Sequence, residues 1–433
     1  MQLPPGPRGI QIFAALDDWR KNGLIALERL KQQYGDIPCV KFPGHRLYIL
    51  NHPDYIRRVL IENRDNYLRS EVGRRERRFF GDSMQVRNGE EARRLRRIIG
   101  PIFRHSLMAR DYCKVVVDLT QSMVDSWTTF PSAALMDELM QGALKASVQI
   151  HFGTRPGAET NELAMLFQEA EEFRIQGAFP DWVPTAVNCK YRHAVDRLNR
   201  EVFARITERR ALGAIGSDLL SVFVSQPDSG LTDVEIRDSL VSTTAAAADG
   251  IGIALNQTIR QIASNPRVND ALHDEAAKVL EGRPVRYIDL ASLPYSEKVV
   301  KEALRLVPPS GAMVRLAAGE DEIGGWRIRP GSRLLISSWV MHRDARWFDE
   351  PYSFKPERWT EEFECSLPAC AYLPFGRGPR TCLGATMATL ILRLMLVTIA
   401  QRHRPRATEP NQQFNVRPFS RNDDYLPVVL EAR

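Results

Sequence analysis

The chain has 433 residues, 44% hydrophobic and 26% charged, with a formal net charge of +6, which is ordinary for a soluble globular protein. The excess of cations does not point to nucleic acid, because no clustered basic-aromatic module accompanies it. The six cysteines (Cys39, Cys113, Cys189, Cys365, Cys370, Cys382) are scattered, which excludes a disulfide framework or a multi-cysteine metal site; the close pair Cys365 and Cys370 reads as two ordinary thiols.

The chain opens on Met1-Gln2-Leu3-Pro4-Pro5-Gly6-Pro7, with no apolar run long enough for a signal peptide or a membrane span, so no membrane anchor is expected. Extended runs are expected near Pro38–Asn51, Arg333–Ser338 and Tyr425–Leu430. Elsewhere helical periodicity dominates, and the reading is mainly α with small β-sheets (α+β). No linker and no fixed-period repeat interrupts it, so residues 1–433 are read as one domain. Basic residues gather at Arg74, Arg75, Arg77 and Arg78, then at Arg93, Arg94, Arg96 and Arg97.

A long helix should begin at Thr232-Asp233-Val234-Glu235, where Thr232 and Glu235 can form a capping box, and end near Ser264 before Asn265-Pro266. Small residues from Thr243 to Gly252 leave room beside this helix for something flat and bulky, or for a closely packed second helix. Gly250 and Gly252 each weaken it by about 1 kcal/mol relative to Ala, so a local distortion is expected there. Glu302 and Arg305 share one face of a helix that ends at Pro308-Pro309, a pairing that on its own reads as a surface ion pair. Phe354-Lys355-Pro356-Glu357-Arg358-Trp359 follows, and then Phe375-Gly376-Arg377-Gly378-Pro379-Arg380-Thr381-Cys382-Leu383-Gly384, ahead of an apolar helix expected over Leu383–His403. Three glycines and a proline rule out helix or strand in this loop. They allow backbone N–H groups to approach the sulfur, and the positive end of the helix favours a thiolate. The bland alternative is a buried free cysteine.

In Phe375, Gly376, Gly378, Arg380, Cys382 and Gly384 the loop resembles the haem-binding loop of the cytochrome P450 family. The resemblance implies that fold, with haem b between the long central helix and the cysteine loop, and Cys382 as axial ligand to the iron. It also implies a buried network of Glu302, Arg305 and Arg358 behind the loop. Arg315, Arg380 and Arg96 take the propionate-binding positions, while Ala92 stands where the family has a Trp or His. Ala246-Ala247-Ala248-Asp249-Gly250 aligns with the oxygen-activating segment, which puts Ala246 against the cofactor and Asp249 in the place of the acid.

Gly250 stands where the family usually has a Thr. An ordered water or a substrate hydroxyl could replace the missing side chain, Asp249 alone could serve, or the reaction could differ: peroxide-dependent, dehydrating or rearranging, or nitrene-type chemistry. A register one turn off would instead bring Thr243 or Thr244 near the iron. The leading expectation is a cytoplasmic, bacterial-type monooxygenase of secondary metabolism that oxidises a small organic molecule. No nicotinamide or flavin fingerprint is present, so electrons should come from a separate ferredoxin or flavodoxin, steered by Arg93, Arg94, Arg97 and Arg104. A haem-binding sensor without turnover is the rival from another class. Substrate contacts are expected from Leu68–Arg87, Phe167–Trp182, Val241–Gly250, Ser310–Met313 and Phe419–Arg421.

Overall fold

The computed structural model describes residues 3–69, 73–104, 106–127, 135–213, 216–225, 230–408 and 428–433; Phe419–Arg421 and part of Leu68–Arg87 lie outside the described residues. The central helix spans Asp233–Ala263. Thr232 Oγ1 accepts from the Glu235 N–H at 3.2 Å, and Glu235 Oε2 accepts from the Thr232 N–H at 3.1 Å, which satisfies two donors that a helix start otherwise leaves unpaired. Ser264 caps the other end. At 1.5 Å per residue the helix is about 46 Å long.

This helix is uninterrupted, and the distortion expected at Gly250 and Gly252 does not occur. The reason lies in packing. A Cβ on Gly252 would collide with the Met140 sulfur and come within 3.1 Å of the Met140 Cα, so the Leu135–Phe152 helix presses directly on the central one and braces it. Most of the central helix is buried, yet Ala246 is exposed and Ala247, Asp249 and Gly250 are half-buried. The helix is thus covered by the described residues on most sides but left open at Ala246, Ala247, Asp249 and Gly250.

Among the described residues five strands form the main sheet: β1 (Cys39–Phe42), β2 (His45–Leu50), β3 (Tyr67–Arg69), β4 (Met313–Ala317) and β7 (Arg333–Ile336), in the order β1-β2-β7-β4-β3. Only the β2–β7 pairing is parallel. β5 (Asp321–Ile323) pairs with β6 (Trp326–Ile328), and β8 (His403–Ala407) with β9 (Val428–Ala432). The runs at Pro38–Asn51 and Arg333–Ser338 thus hold β1, β2 and β7, and Tyr425–Leu430 overlaps β9. The other strands, β3, β4, β5, β6 and β8, escaped the pattern reading, two of them in the main sheet. β3 has three residues, too few to show alternation, and β4 buries an arginine at its centre.

The helix after the loop runs Ala385–Arg402, with Gly384 as its cap, two residues later than expected at its start. Its second half is buried, whereas Leu383, Met387, Ala388 and Leu390 remain partly open. It is the described helix long and apolar enough to cross a membrane, with half of that stretch buried in the protein. Cys365 is exposed and Cys370 buried, and neither is bonded to another cysteine.

Candidate active site

The cysteine loop is held by its own backbone. Gly376 and Gly378 have φ of 71° and 76°, the left-handed region that side chains disfavour, and a Cβ on Gly378 would overlap the Leu60 carbonyl. The Cys382 N–H donates to the Phe375 carbonyl at 2.9 Å, the Gly376 N–H to Leu373 at 3.1 Å, and both the N–H and hydroxyl of Thr381 to Gly378 at 3.0 and 2.7 Å. Cys382 itself is exposed. Although Cys382 is surrounded by protein atoms, part of its surface is left uncovered by the described residues. Burial pushes the thiol pKa up, against the opposing pull of the Gly384 N–H and the Arg96 charge; a metal cation on the sulfur would keep it ionised.

Behind the loop lies the network anticipated from Glu302-x-x-Arg305. Glu302 and Arg305 are completely buried and joined twice, at 2.9 and 2.8 Å. Arg358 Nε (3.0 Å), Trp359 Nε1 (3.0 Å) and the Lys355 N–H (2.9 Å) also donate to Glu302. Arg305 spends its remaining donors on the carbonyls of His342, Pro351 and Ser353. A buried ion pair survives only with such saturation. His342, which sequence reasoning missed, joins the network to the loop. Its Nδ1 is 3.0 Å from the Arg305 carbonyl, and its Nε2 accepts from the Leu373 N–H at 2.9 Å. Burial pushes its pKa down to about 3, so the ring is neutral, with the proton on Nδ1.

The expected arginines converge, and a fourth joins them. Arg69 lies directly across the strand pair from Arg315 in the β3–β4 register. Burial, then the fields of Arg380 and Arg96, push Arg69 down to about 10; burial, then Arg69 and Arg380, do the same to Arg315. Burial followed by Arg96 and Arg93 lowers Arg380. Asn88 orders the group, its Oδ1 accepting from the Arg69 N–H at 2.9 Å and from Arg380 Nη2 at 3.0 Å. Arg96, on the Gly89–Ile99 helix, donates to the Thr381 carbonyl and so ties that helix to the loop. Among the described residues no carboxylate hydrogen-bonds Arg69, Arg315 or Arg380. Like charges placed opposite each other on a sheet are destabilising, so this cluster is built for a bound anion. Ala92 is buried and offers no hydrogen bond. Arg69 is the arginine that sequence reasoning missed, and its signal, a lone Arg on a three-residue strand, was too faint to read.

On the central helix, Thr244 is fully buried, with its hydroxyl 2.9 Å from His151 Nδ1, so it is not free to face a cofactor. A Cβ on Gly250 would meet nothing within 4 Å. Asp249 lies close enough to Arg174, on the Ala158–Gln176 helix, to help hold that guanidinium charged. Of the proposed basic patch, Arg94 turns away to Glu235 (2.7 Å) and Gly230. Arg93 and Arg97 stay exposed but share Glu90, at 2.8 and 2.6 Å, and the Arg104 side chain lies outside the described residues.

Among the described residues no three His, Cys, Asp or Glu side chains gather as a metal site. A metal on the open Cys382 would therefore bring its other ligands with it. The chemistry of these groups, a thiol with an uncovered surface and arginines without carboxylate partners among the described residues, suits a flat metallo-macrocycle bearing carboxylates. This is the site of a haem-thiolate protein. The cytochrome P450 profile matches residues 4–419, and the chain belongs to that family. It is 30% identical over 410 residues to a cyclooctat-9-en-7-ol 5-monooxygenase of Streptomyces melanosporofaciens, covering 92% of this chain and 89% of that protein. It is 29% identical over 417 residues to a cyclooctatin synthase of the same organism, covering 92% and 89%. With a pentalenene oxygenase of Streptomyces avermitilis it shares 26% over 413 residues, covering 92% and 90%. The chain is a haem-thiolate oxidoreductase of the monooxygenase type.

Proposed function

We propose that Cys382 is the thiolate ligand, in a loop shaped by Phe375, Gly376, Gly378 and Gly384. Arg69, Arg96, Arg315 and Arg380 hold the haem carboxylates, and Ala246 faces the haem plane within one domain. The observation that carries this reading is the open sulfur of Cys382 in a loop whose backbone is otherwise tied down. Bound haem supplies the reductive activation of dioxygen. The chain's own residues hold the group, keep the sulfur in place and move protons. Asp249 is the proton-carrying carboxylate, and the open space at Gly250 holds a water or a substrate hydroxyl in place of a Thr side chain.

The substrate is an apolar carbocycle of secondary metabolism, in keeping with relatives whose names specify an alkenol and an alkene. The half-buried Phe80, Met84 and Ala247 offer apolar contact to such a molecule. Electrons come from a separate ferredoxin or flavodoxin docking near Arg93 and Arg97, and the enzyme works in the cytoplasm. Because Glu90 neutralises part of that patch, reduction should slow only modestly with salt; stopped-flow rates indifferent to ionic strength would rule out electrostatic steering.

Gly250 favours a second reading, in which the same iron takes a peroxide or an already activated substrate. Turnover under isotopically labelled dioxygen with a surrogate ferredoxin and reductase separates the two. Label in the product supports monooxygenation, whereas product without label or without reductant supports the second reading.

A further inference from the structure

Arg174 projects from the Ala158–Gln176 helix over the aromatic pair of the Arg74–Phe80 helix, with its guanidinium carbon 5.4 Å from the Phe80 ring centre and 6.0 Å from that of Phe79. Glu171 takes two of its edges, Nε at 2.7 Å and Nη2 at 2.5 Å. Among the described residues Nη1 has only Glu76, at 3.9 Å, which is beyond hydrogen-bond reach. Burial opposes the Arg174 charge, but the bonds from Glu171 and the fields of Glu171, Asp249 and Glu76 more than offset it, so its pKa is raised. A charged, largely buried donor thus lies over an apolar wall, near enough to Asp249 to feel its field, with one guanidinium nitrogen that has no hydrogen bond among the described residues. For packing alone this is a poor choice, since an apolar side chain would cover Phe80 as well without leaving a donor unused.

We propose that Arg174 is the polar anchor for a hydroxyl group on an otherwise apolar substrate, held between Nη1 and the Asp249 carboxylate. This deepens the reading of the chain as a cytochrome P450 acting on apolar carbocycles, and it rests on that reading. The charges select the group. Three carboxylates (Glu171, Glu76 and Asp249) face one guanidinium, so an anionic ligand is repelled. A hydroxyl accepts from the guanidinium and donates to a carboxylate. A ketone can do only the first, and a hydrocarbon neither. Bound there, the hydroxyl also stands next to the residue that carries no side chain, Gly250, where it bridges to Asp249.

The test is an optical titration of the haem-loaded full chain with matched ligands, the tricyclic alcohol cedrol against the hydrocarbon cedrene, and adamantanol against adamantane. A hydrogen bond to a charged group predicts that each alcohol binds about 10- to 100-fold more tightly than its hydrocarbon. Arg174→Met should erase that gap while leaving hydrocarbon affinity within about 2-fold, and Arg174→Lys should restore part of it. An equal gap in wild type and Arg174→Met, or an equal loss for both ligand types, would overturn the anchor and reduce Arg174 to a structural residue. If Arg174→Met does not fold, Arg174→Gln and Arg174→Lys carry the same comparison. No spectral response of the wild type to any of the four ligands would overturn the apolar-substrate reading itself, and the anchor with it.

Discussion

The two sides of the site are built on opposite principles. Behind Cys382 every strong group is matched: Glu302 accepts five hydrogen bonds, from Arg305, Arg358, Trp359 and the Lys355 N–H, and His342 uses both ring nitrogens. On the far side, among the described residues, Arg174 keeps an edge without a hydrogen bond, a Cβ on Gly250 would meet nothing within 4 Å, and Ala246 is exposed in mid-helix. Saturation fixes the sulfur where it must not move. Incompleteness on the other side leaves room and donors for whatever binds. On the proposed function, the rigid half would define the chemistry and the open half what the chemistry acts on.

The contrast can be broken most severely at the sulfur. If Cys382 is the thiolate ligand as proposed, Cys382→Ser removes a soft anionic ligand without disturbing the Cys382 N–H bond to Phe375. The thiolate signature in the reduced carbon monoxide spectrum should vanish, and activity should fall by about 1,000-fold or more; a variant that keeps both would disprove the ligand assignment. Next comes Glu302→Gln, which leaves two buried guanidinia without their anion and should cost about 3–5 kcal/mol in chemical unfolding. A loss under about 1 kcal/mol, the value of a surface pair, would mean that this half is not held as described.

Acid should loosen both halves. Burial pushes His342 and His151 down to about 3, from 6.5 when solvated. The unfolded chain thus binds more protons in that window. Stability is complete above about pH 6.5 and falls as the pH drops, by up to about 1.4 kcal/mol per pH unit for each histidine. Urea midpoints at about pH 7 and pH 5, repeated on His342→Gln and His151→Gln, show which half lets go; identical midpoints in the wild type would contradict neutral burial.

The smallest effects sit on neighbouring glycines. Gly252→Ala must displace Met140 and should cost about 1–3 kcal/mol. Gly250→Thr meets open space and should change stability by less than about 1 kcal/mol. If dioxygen is the oxidant, that same change should raise the product formed per electron pair; unchanged coupling would favour the peroxide-type reading.

Local sequence alone determined the parts whose physics is local. The Thr232–Glu235 box and Asn265-Pro266 bounded the central helix to within a residue, because capping and proline act over one turn. The i,i+3 spacing put Glu302 and Arg305 on one face, and the glycines around Cys382 marked a loop, although Gly378–Arg380 within it forms one 3-10 turn that the expectation of no helix had excluded. Only the tertiary structure separated Gly250 from Gly252, since the difference is which helix lies alongside. It alone set Arg69 opposite Arg315, through a register that joins residues some 250 positions apart in the chain, brought His342 beneath the loop, and turned Arg94 away from Arg93 and Arg97. Those are facts about distant segments meeting, and charge and packing across such contacts carry no periodicity that a single chain can display.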